Sequence, residues 1–210
     1  DKLNITGNNI TVDVMAKFNK PSQTSTQHYE VLSKGDTQFA IKYATGIHSE
    51  STPVVEFYIY DGTQTNNNAK WQSAYWVLDS ETLETWYDGW HRLTGTYDGE
   101  TLRLYVDGEQ KATLECTAGI TANGYAISLN QNLEQNRTSD SYLAYAKLFN
   151  TTKTIEEIDA ATASDQDCVL WLDMGDEIQS EYVEEVKYFG YGGDFGETNH
   201  DGNFCANGLL

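Results

Sequence analysis

The sequence is short of basic residues: 13 Lys+Arg stand against 32 Asp+Glu among 210 residues, a formal net charge of -19 at pH 7. Neutralising phosphates requires clustered Lys and Arg, so the balance argues against a nucleic-acid partner, and an anionic membrane surface is disfavoured on the same ground. Most of the acidic surplus reads as a solvated face, with a smaller share of loop carboxylates left for calcium. Cysteine is nearly missing. Cys116, Cys168 and Cys205 are too few and too irregularly placed for a disulfide framework or a zinc site. They read as small buried apolar residues, with a Cys116 to Cys168 bridge as the alternative because each falls on an expected strand. No apolar run approaches the roughly 20 residues of a membrane-spanning helix. A leader is also missing, but the chain opens at Asp1 and reads as a piece of a longer protein, so that absence carries little. Helix signals are the last scarcity. Only Ile155 to Ala161 qualifies, introduced by Thr154 with Glu157 three residues later in a capping box.

Strand signals take their place. With 39% apolar and 12% aromatic residues the chain can bury a sizeable core, and one all-β domain of this length is ordinary. Ile10, Val12, Val14, Ala16 and Phe18 alternate with Thr11, Asp13, Met15 and Lys17, the period of a half-buried strand, and Pro21 ends the run. Further strands are expected over Tyr29 to Lys34, around Phe39, Ile41 and Tyr43, and over Val54 to Tyr60. Lys111 to Cys116, Tyr125 to Leu129 and Tyr142 to Asn150 follow. Polar turns at spacings of about 8 to 12 residues separate them, as a sandwich or jelly roll requires. Lys70 to Leu78 carries large apolar side chains on both faces, so the face turned from the core must be covered or used for binding. The loop Asp79 to Gly89 adds Trp86 and Tyr87.

The densest stretch runs from Trp90 to Gly108. Asp98-Gly99 and Asp107-Gly108 bracket the alternation Leu102, Leu104, Val106, and Asp-Gly marks hairpins because Gly accepts the positive φ of their turns. The stretch reads as a three-stranded meander. It resembles the central signature of laminin-G-like, concanavalin A-like jelly-roll domains, WHxLxGTYDG followed by TLxLYVDG. The Ala146-Lys147-Leu148-Phe149-Asn150 strand, the short helix and the last strand Val169-Leu170-Trp171-Leu172-Asp173 fit the same pattern, and the likeness covers residues 3 to 175. It implies an all-β antiparallel jelly-roll sandwich with one short helix. It also implies a rim calcium, for which Asp36, Asp61, Asp79 and Asp98 are candidate oxygen donors.

From Tyr188 the style changes. Six glycines among the last 23 residues break any regular element, leaving an irregular segment. Its run Tyr191-Gly192-Gly193-Asp194-Phe195-Gly196-Glu197-Thr198, with Phe204-Cys205-Ala206-Asn207-Gly208-Leu209, resembles the YGGDFGDTPxDxxFCxNGL segment of glycoside hydrolase family 2 β-galactosidases. The departure is Asn199-His200 where many members carry proline. The resemblance implies that the Phe204 carbonyl and the Asn207 side chain contribute to a sodium site, that Asp201 lies toward the substrate, and that the parent enzyme uses sodium and magnesium. The family's two catalytic glutamates have no counterpart here. Glu184, Glu185 and Glu197 offer only an isolated carboxylate set without a barrel around it, and His91 and His200 lack a nucleophile in a matching context.

These expectations combine into a jelly-roll domain over residues 1–180 and a barrel-like segment over 181–210, the former inserted in a family 2 β-galactosidase. The expected role is a non-catalytic module that binds or positions carbohydrate, a galactoside. The alternative is a structural insertion that packs on the remainder of the catalytic domain or on a neighbouring subunit. Neither nucleic acid nor membrane is expected as a partner, and an extracellular or cell-surface setting is favoured over a cytoplasmic one. Sugar sites stack rings on exposed aromatics beside hydrogen-bonding groups, which makes Trp71, Tyr75, Trp86 and Tyr87 the candidate ligand-binding residues. Trp90 and Trp171 are assigned to the core.

Overall fold

The structure, a computed structural model, describes residues 3–22 and 26–175, the Asn68 side chain excepted. The sequence expectations for Cys205, for the sodium ligands Phe204 and Asn207, and for Asp201, Glu184, Glu185, Glu197 and His200 lie outside the described residues, as does the boundary at 180. Two compact units are distinguished, Asp1–Trp171 and Leu172–Leu210. The first carries everything below.

In chain order the elements are β1 (Ile10–Phe18), β2 (Gln27–Ser33), β3 (Phe39–Thr45), β4 (Val54–Tyr60), β5 (Trp71–Val77), α1 (Ser80–Thr85), β6 (His91–Tyr97), β7 (Thr101–Val106) and β8 (Glu109–Glu115). Then follow β9 (Ser128–Leu129), β10 (Gln131–Asn132), β11 (Arg137–Thr138), β12 (Ser141–Phe149), α2 (Ile155–Ala160) and β13 (Cys168–Asp173). One sheet has the order β13-β12-β1-β6-β7-β8, the other β5-β4-β3-β2-β9, and β10–β11 is a small separate hairpin. β1 pairs antiparallel with β12 and β6, and β3 with β2 and β4. The expected sandwich of antiparallel sheets is what the chain forms.

Alternation on β1 explains the core. Ile10, Val12, Val14, Ala16 and Phe18 are all 0% exposed. Their neighbours Thr11 and Asp13 point away from the core and are buried as well, Thr11 against the segment leading into α2, where its hydroxyl donates to the Thr151 carbonyl and accepts from the Lys153 amide, and Asp13 against Arg92. Asp13, buried and charged, needs a partner. Arg92 supplies two hydrogen bonds, at 2.8 and 3.2 Å, while its other guanidinium nitrogen reaches Asp159 of α2 at 2.7 Å. One residue thus ties sheet to helix.

Gly95 marks where the sheets approach most closely. A Cβ there would stand 2.2 Å from Cγ of Phe57 on the opposite sheet. That contact identifies Phe57, and the side chains in register with it, as inward-facing. The β7–β8 turn carries φ 53° at Asp107 and 81° at Gly108, both in the left-handed region the sequence signal anticipated. The α2 capping box is present as expected: Thr154 and Glu157 exchange side-chain and backbone hydrogen bonds.

Five expectations are corrected. The loop Asp79 to Gly89 contains a second helix, α1, capped by Asp79, whose carboxylate accepts from Thr82 N–H at 2.8 Å. Of Tyr125 to Leu129 only Ser128–Leu129 is strand. Cys116 and Cys168 are both free, so the alternative bridge does not form. Trp90 is 47% exposed, because it precedes β6 and the inward position goes to His91. Trp171 is only half-buried, with the Lys147 ammonium 4.2 Å from its ring centroid.

Candidate functional site

β5 is the edge strand of its sheet, exposed at Trp71 and half-buried or buried over the rest of its length. Ala74 is in register with inward-facing Phe57, which turns Trp71, Ser73 and Tyr75 outward opposite Tyr60, Tyr58 and Glu56 of β4. At ~3.3 Å per residue the three positions span about 13 Å.

Beside this strip, on the same face of the sheet, runs a ladder of charges across three strands. Glu30 of β2 is in register with Lys42 of β3, and Lys42 with Glu56 of β4. Lys42 Nζ stands 3.0 Å from a Glu56 oxygen and 4.8 Å from the Tyr58 ring centroid. The other Glu56 oxygen contacts His48 Nε2 at 2.8 Å and accepts from the Ser73 hydroxyl. Burial opposes the charge on Glu56, but Lys42, His48 and Ser73 outweigh it and hold the carboxyl at about 2. Burial pushes Glu30 the other way, upward, against the pull of Lys42 and Arg137. His28, desolvated and facing Lys42, falls to about 4.

Two carboxylates driven apart in this manner are the mark of an acid and base pair. Access decides against that use: the Glu30 and Glu56 side chains are 0% and 5% exposed, with Lys42 between them in register. A substrate cannot reach either, and the ladder serves as a rigid flank to the strip.

The strip next to it is open at Trp71 and half-buried at Ser73 and Tyr75. Trp71 is 38% exposed, braced edge-on by Tyr60 at 4.9 Å and by a 3.0 Å hydrogen bond from its indole N–H to the Asp36 carbonyl. Tyr75 stacks flat on His48 at 4.0 Å. Tyr125, 40% exposed, sits against the same loop, its Cδ2 3.1 Å from where a Gly35 Cβ would stand. That loop is held by Glu134, whose carboxylate accepts from the Asp36 and Thr37 amides at 2.7 and 2.9 Å. The rings are therefore fixed in place before any ligand arrives.

The four candidate ligand residues do not form one cluster. Trp71 and Tyr75 share the strip. Trp86 is 1% exposed, stacked on His91 at 3.9 Å and on Phe18 at 5.9 Å, so it offers no open ring face. Tyr87 spends its hydroxyl on Tyr43, 2.6 Å away. Tyr60, His48 and Tyr125 were missed. Nothing in their sequence neighbourhoods sets them apart from core aromatics or turn residues; only the register of β4 on β5 and the Gly35 loop brings them in.

The calcium candidates do not gather either. Asp36 accepts from Tyr58, Asp61 from Thr63 and Gln64, Asp79 from Thr82, and Asp98 from Thr101 and Arg103. Among the described residues no group of three or more His, Cys, Asp or Glu is placed to hold a metal ion, and none of the helices there is long and apolar enough to cross a membrane.

Short matches link the chain to two curated β-galactosidases: it is 48% identical over 40 residues to that of Priestia megaterium (strain DSM 319 / IMG 1521) and 77% identical over 22 residues to that of Actinobacillus pleuropneumoniae. They cover 19% and 10% of this chain and 4% and 2% of those proteins, so the chain spans only a small part of the relatives it matches. A solved protein of Bacteroides ovatus ATCC 8483, provisionally described as carbohydrate-binding, superposes with a TM-score of 0.57 at 12% identity, over 83% of this chain and 48% of that one. At that identity the likeness is one of fold. Residues 1–159 match the family described as the concanavalin A-like lectin/glucanases superfamily, and with two packed antiparallel sheets over the same span the chain belongs to that superfamily.

Proposed function

We propose that this is a non-catalytic carbohydrate-binding module that positions galactosides for a family 2 β-galactosidase of which it forms an inserted part. The observation that carries the reading is the outward strip of β5, where Trp71 and Tyr75 are braced beside Ser73 and next to a fixed row of polar groups. Ring platforms flanked by hydrogen-bonding groups suit the apolar faces and equatorial hydroxyls of sugars. The Bacteroides ovatus likeness supports a sugar-binding fold, and the two short β-galactosidase matches support the parent enzyme. An extended site away from the chemistry would use binding energy to orient longer substrates. The test is replacement of residues 1–180 by a short Gly/Ser linker in the parent, with kcat/KM compared for an aryl galactoside and for longer galactosides. A selective loss on the longer substrates supports the reading; equal loss on both, or none, overturns it.

A structural insertion has its own supporting observation. On the opposite sheet, Tyr142 (57% exposed) lies in register with Lys17, and Trp90 (47% exposed) immediately precedes His91, which pairs with Ala16 next to Lys17. Such an aromatic row around one cation suits burial against the rest of the parent protein.

A further inference from the structure

The turn between β3 and β4 is strained where its fold alone does not require it. The Glu50 amide donates to the Ile47 carbonyl at 3.0 Å, and the two residues between them, His48 and Ser49, have φ 54° and 61°. Two successive left-handed residues closed by such a bond have the form of a type I′ turn, for which Asn-Gly is the favoured pair because most L side chains resist positive φ. Strained backbone of this kind persists where the surroundings hold it, and it gathers at ligand sites. Here it delivers one ring to the β5 strip.

The His48 imidazole lies flat on Tyr75, with ring centroids 4.0 Å apart and planes 2° from parallel. Its Nε2 meets Glu56, the residue in register with Tyr75, at 2.8 Å. Glu56 keeps partners without it, because one oxygen has the Lys42 ammonium at 3.0 Å and the other the Ser73 hydroxyl. His48 is exposed, whereas Tyr75, which backs it, is half-buried. We infer, on the carbohydrate-binding reading of the β5 strip, that its second ring platform is the His48 imidazole backed by Tyr75, and that His48 Nδ1 accepts a hydroxyl from a neutral saccharide.

Elimination places the contact on the ring. Tyr75 takes one imidazole face and Glu56 takes Nε2, so the 27% of the side chain left open belongs to the other face and to the Nδ1 edge. A carboxylate oxygen only accepts, so Nε2 carries the proton in its bond to Glu56 and Nδ1 of the neutral ring is left as an acceptor. An open flat face with an acceptor at its edge suits a pyranose, whose C–H face stacks while a hydroxyl donates to the nitrogen. Trp71 lies on the same side of β5 as the Tyr75 that backs His48, so one oligosaccharide meets both platforms.

Imidazole ¹H–¹⁵N correlation spectra of the whole chain, recorded during titration with a neutral galacto-oligosaccharide, test the assignment. The His48 Nδ1 resonance, identified by its loss in His48→Asn, should move to saturation and by more than Nε2, which stays tied to Glu56. His48→Asn removes the ring and leaves a residue that tolerates positive φ. Its affinity should fall about tenfold, as for the loss of one ring contact, with the melting temperature within a few degrees of the unaltered chain. A still Nδ1 resonance while saccharide binds, or an unchanged affinity in His48→Asn, overturns the assignment of His48, and binding that Trp71→Ala weakens then leaves the strip itself standing. A chain that binds no saccharide overturns both. Should His48→Asn fail to fold, the Nδ1 response of the unaltered chain decides alone.

Discussion

Asp13 sits at an outward position of an alternating strand, where the sequence pattern anticipates solvent, and the structure buries it completely against Arg92. Its charge is kept by Arg92, and removing one member of a buried pair leaves the other uncompensated at a cost of ~3–5 kcal/mol. Arg92→Ala should therefore lower the unfolding free energy by that amount, read as a lower urea midpoint, and far more than Arg103→Ala, whose partner Asp98 lies on a turn. His28 provides a pH-dependent counterpart. Its folded value of about 4 lies below the ordinary 6.5, so between these limits the unfolded chain binds more protons than the folded one and stability rises with pH. Denaturation at pH 4.5 should show a lower midpoint than at pH 7, and His28→Gln should flatten the difference over that window. At this scale alternation told which β1 residues face the core. It did not tell Trp90 from His91, one position apart, because the choice depends on where β6 starts.

Single elements were legible where two signals agreed. β1 and β4 begin and end where alternation and the following turn residues put them, and the α2 capping box is formed by the two residues that announced it. α1 escaped because it is six residues long and buries none of them, so it leaves no apolar period to detect. The hairpin β10–β11 escaped for the same reason: two-residue polar strands have no pattern of their own. Gly95 illustrates a requirement that only packing reveals. Its Cβ position is occupied by the Phe57 ring, so Gly95→Ala should destabilise by ~1–3 kcal/mol through overpacking, measured as a lowered denaturant midpoint. Loop carboxylates already engaged by Tyr58, Gln64, Thr82 and Arg103 lead to a further expectation. The melting temperature should be insensitive to calcium and to chelator, and a clear rise with calcium would place an ion among oxygens that these contacts do not explain.

For the whole molecule, the sandwich class, the turns and the β6-β7-β8 meander were readable, since each rests on local residues that agree with the global fold, while the order of the other strands was not. The binding surface was readable only in part. Trp71 and Tyr75 stand together because β5 ends one sheet as its edge strand, whereas Trp86 is drawn inside by His91, Phe18 and Tyr43, contacts between elements far apart in sequence. The most direct measurement is calorimetric titration of the whole chain with neutral galacto-oligosaccharides of increasing length, repeated on Trp71→Ala and Tyr75→Ala. Affinity should rise with length until the ~13 Å strip is filled, at ~3.3 Å per strand residue. Each substitution should weaken binding by about tenfold, or ~1.4 kcal/mol, in keeping with the loss of one aromatic contact, while leaving the melting temperature within a few degrees. Absence of saccharide binding, or binding that neither substitution alters, would contradict the assignment of the β5 strip as a carbohydrate site.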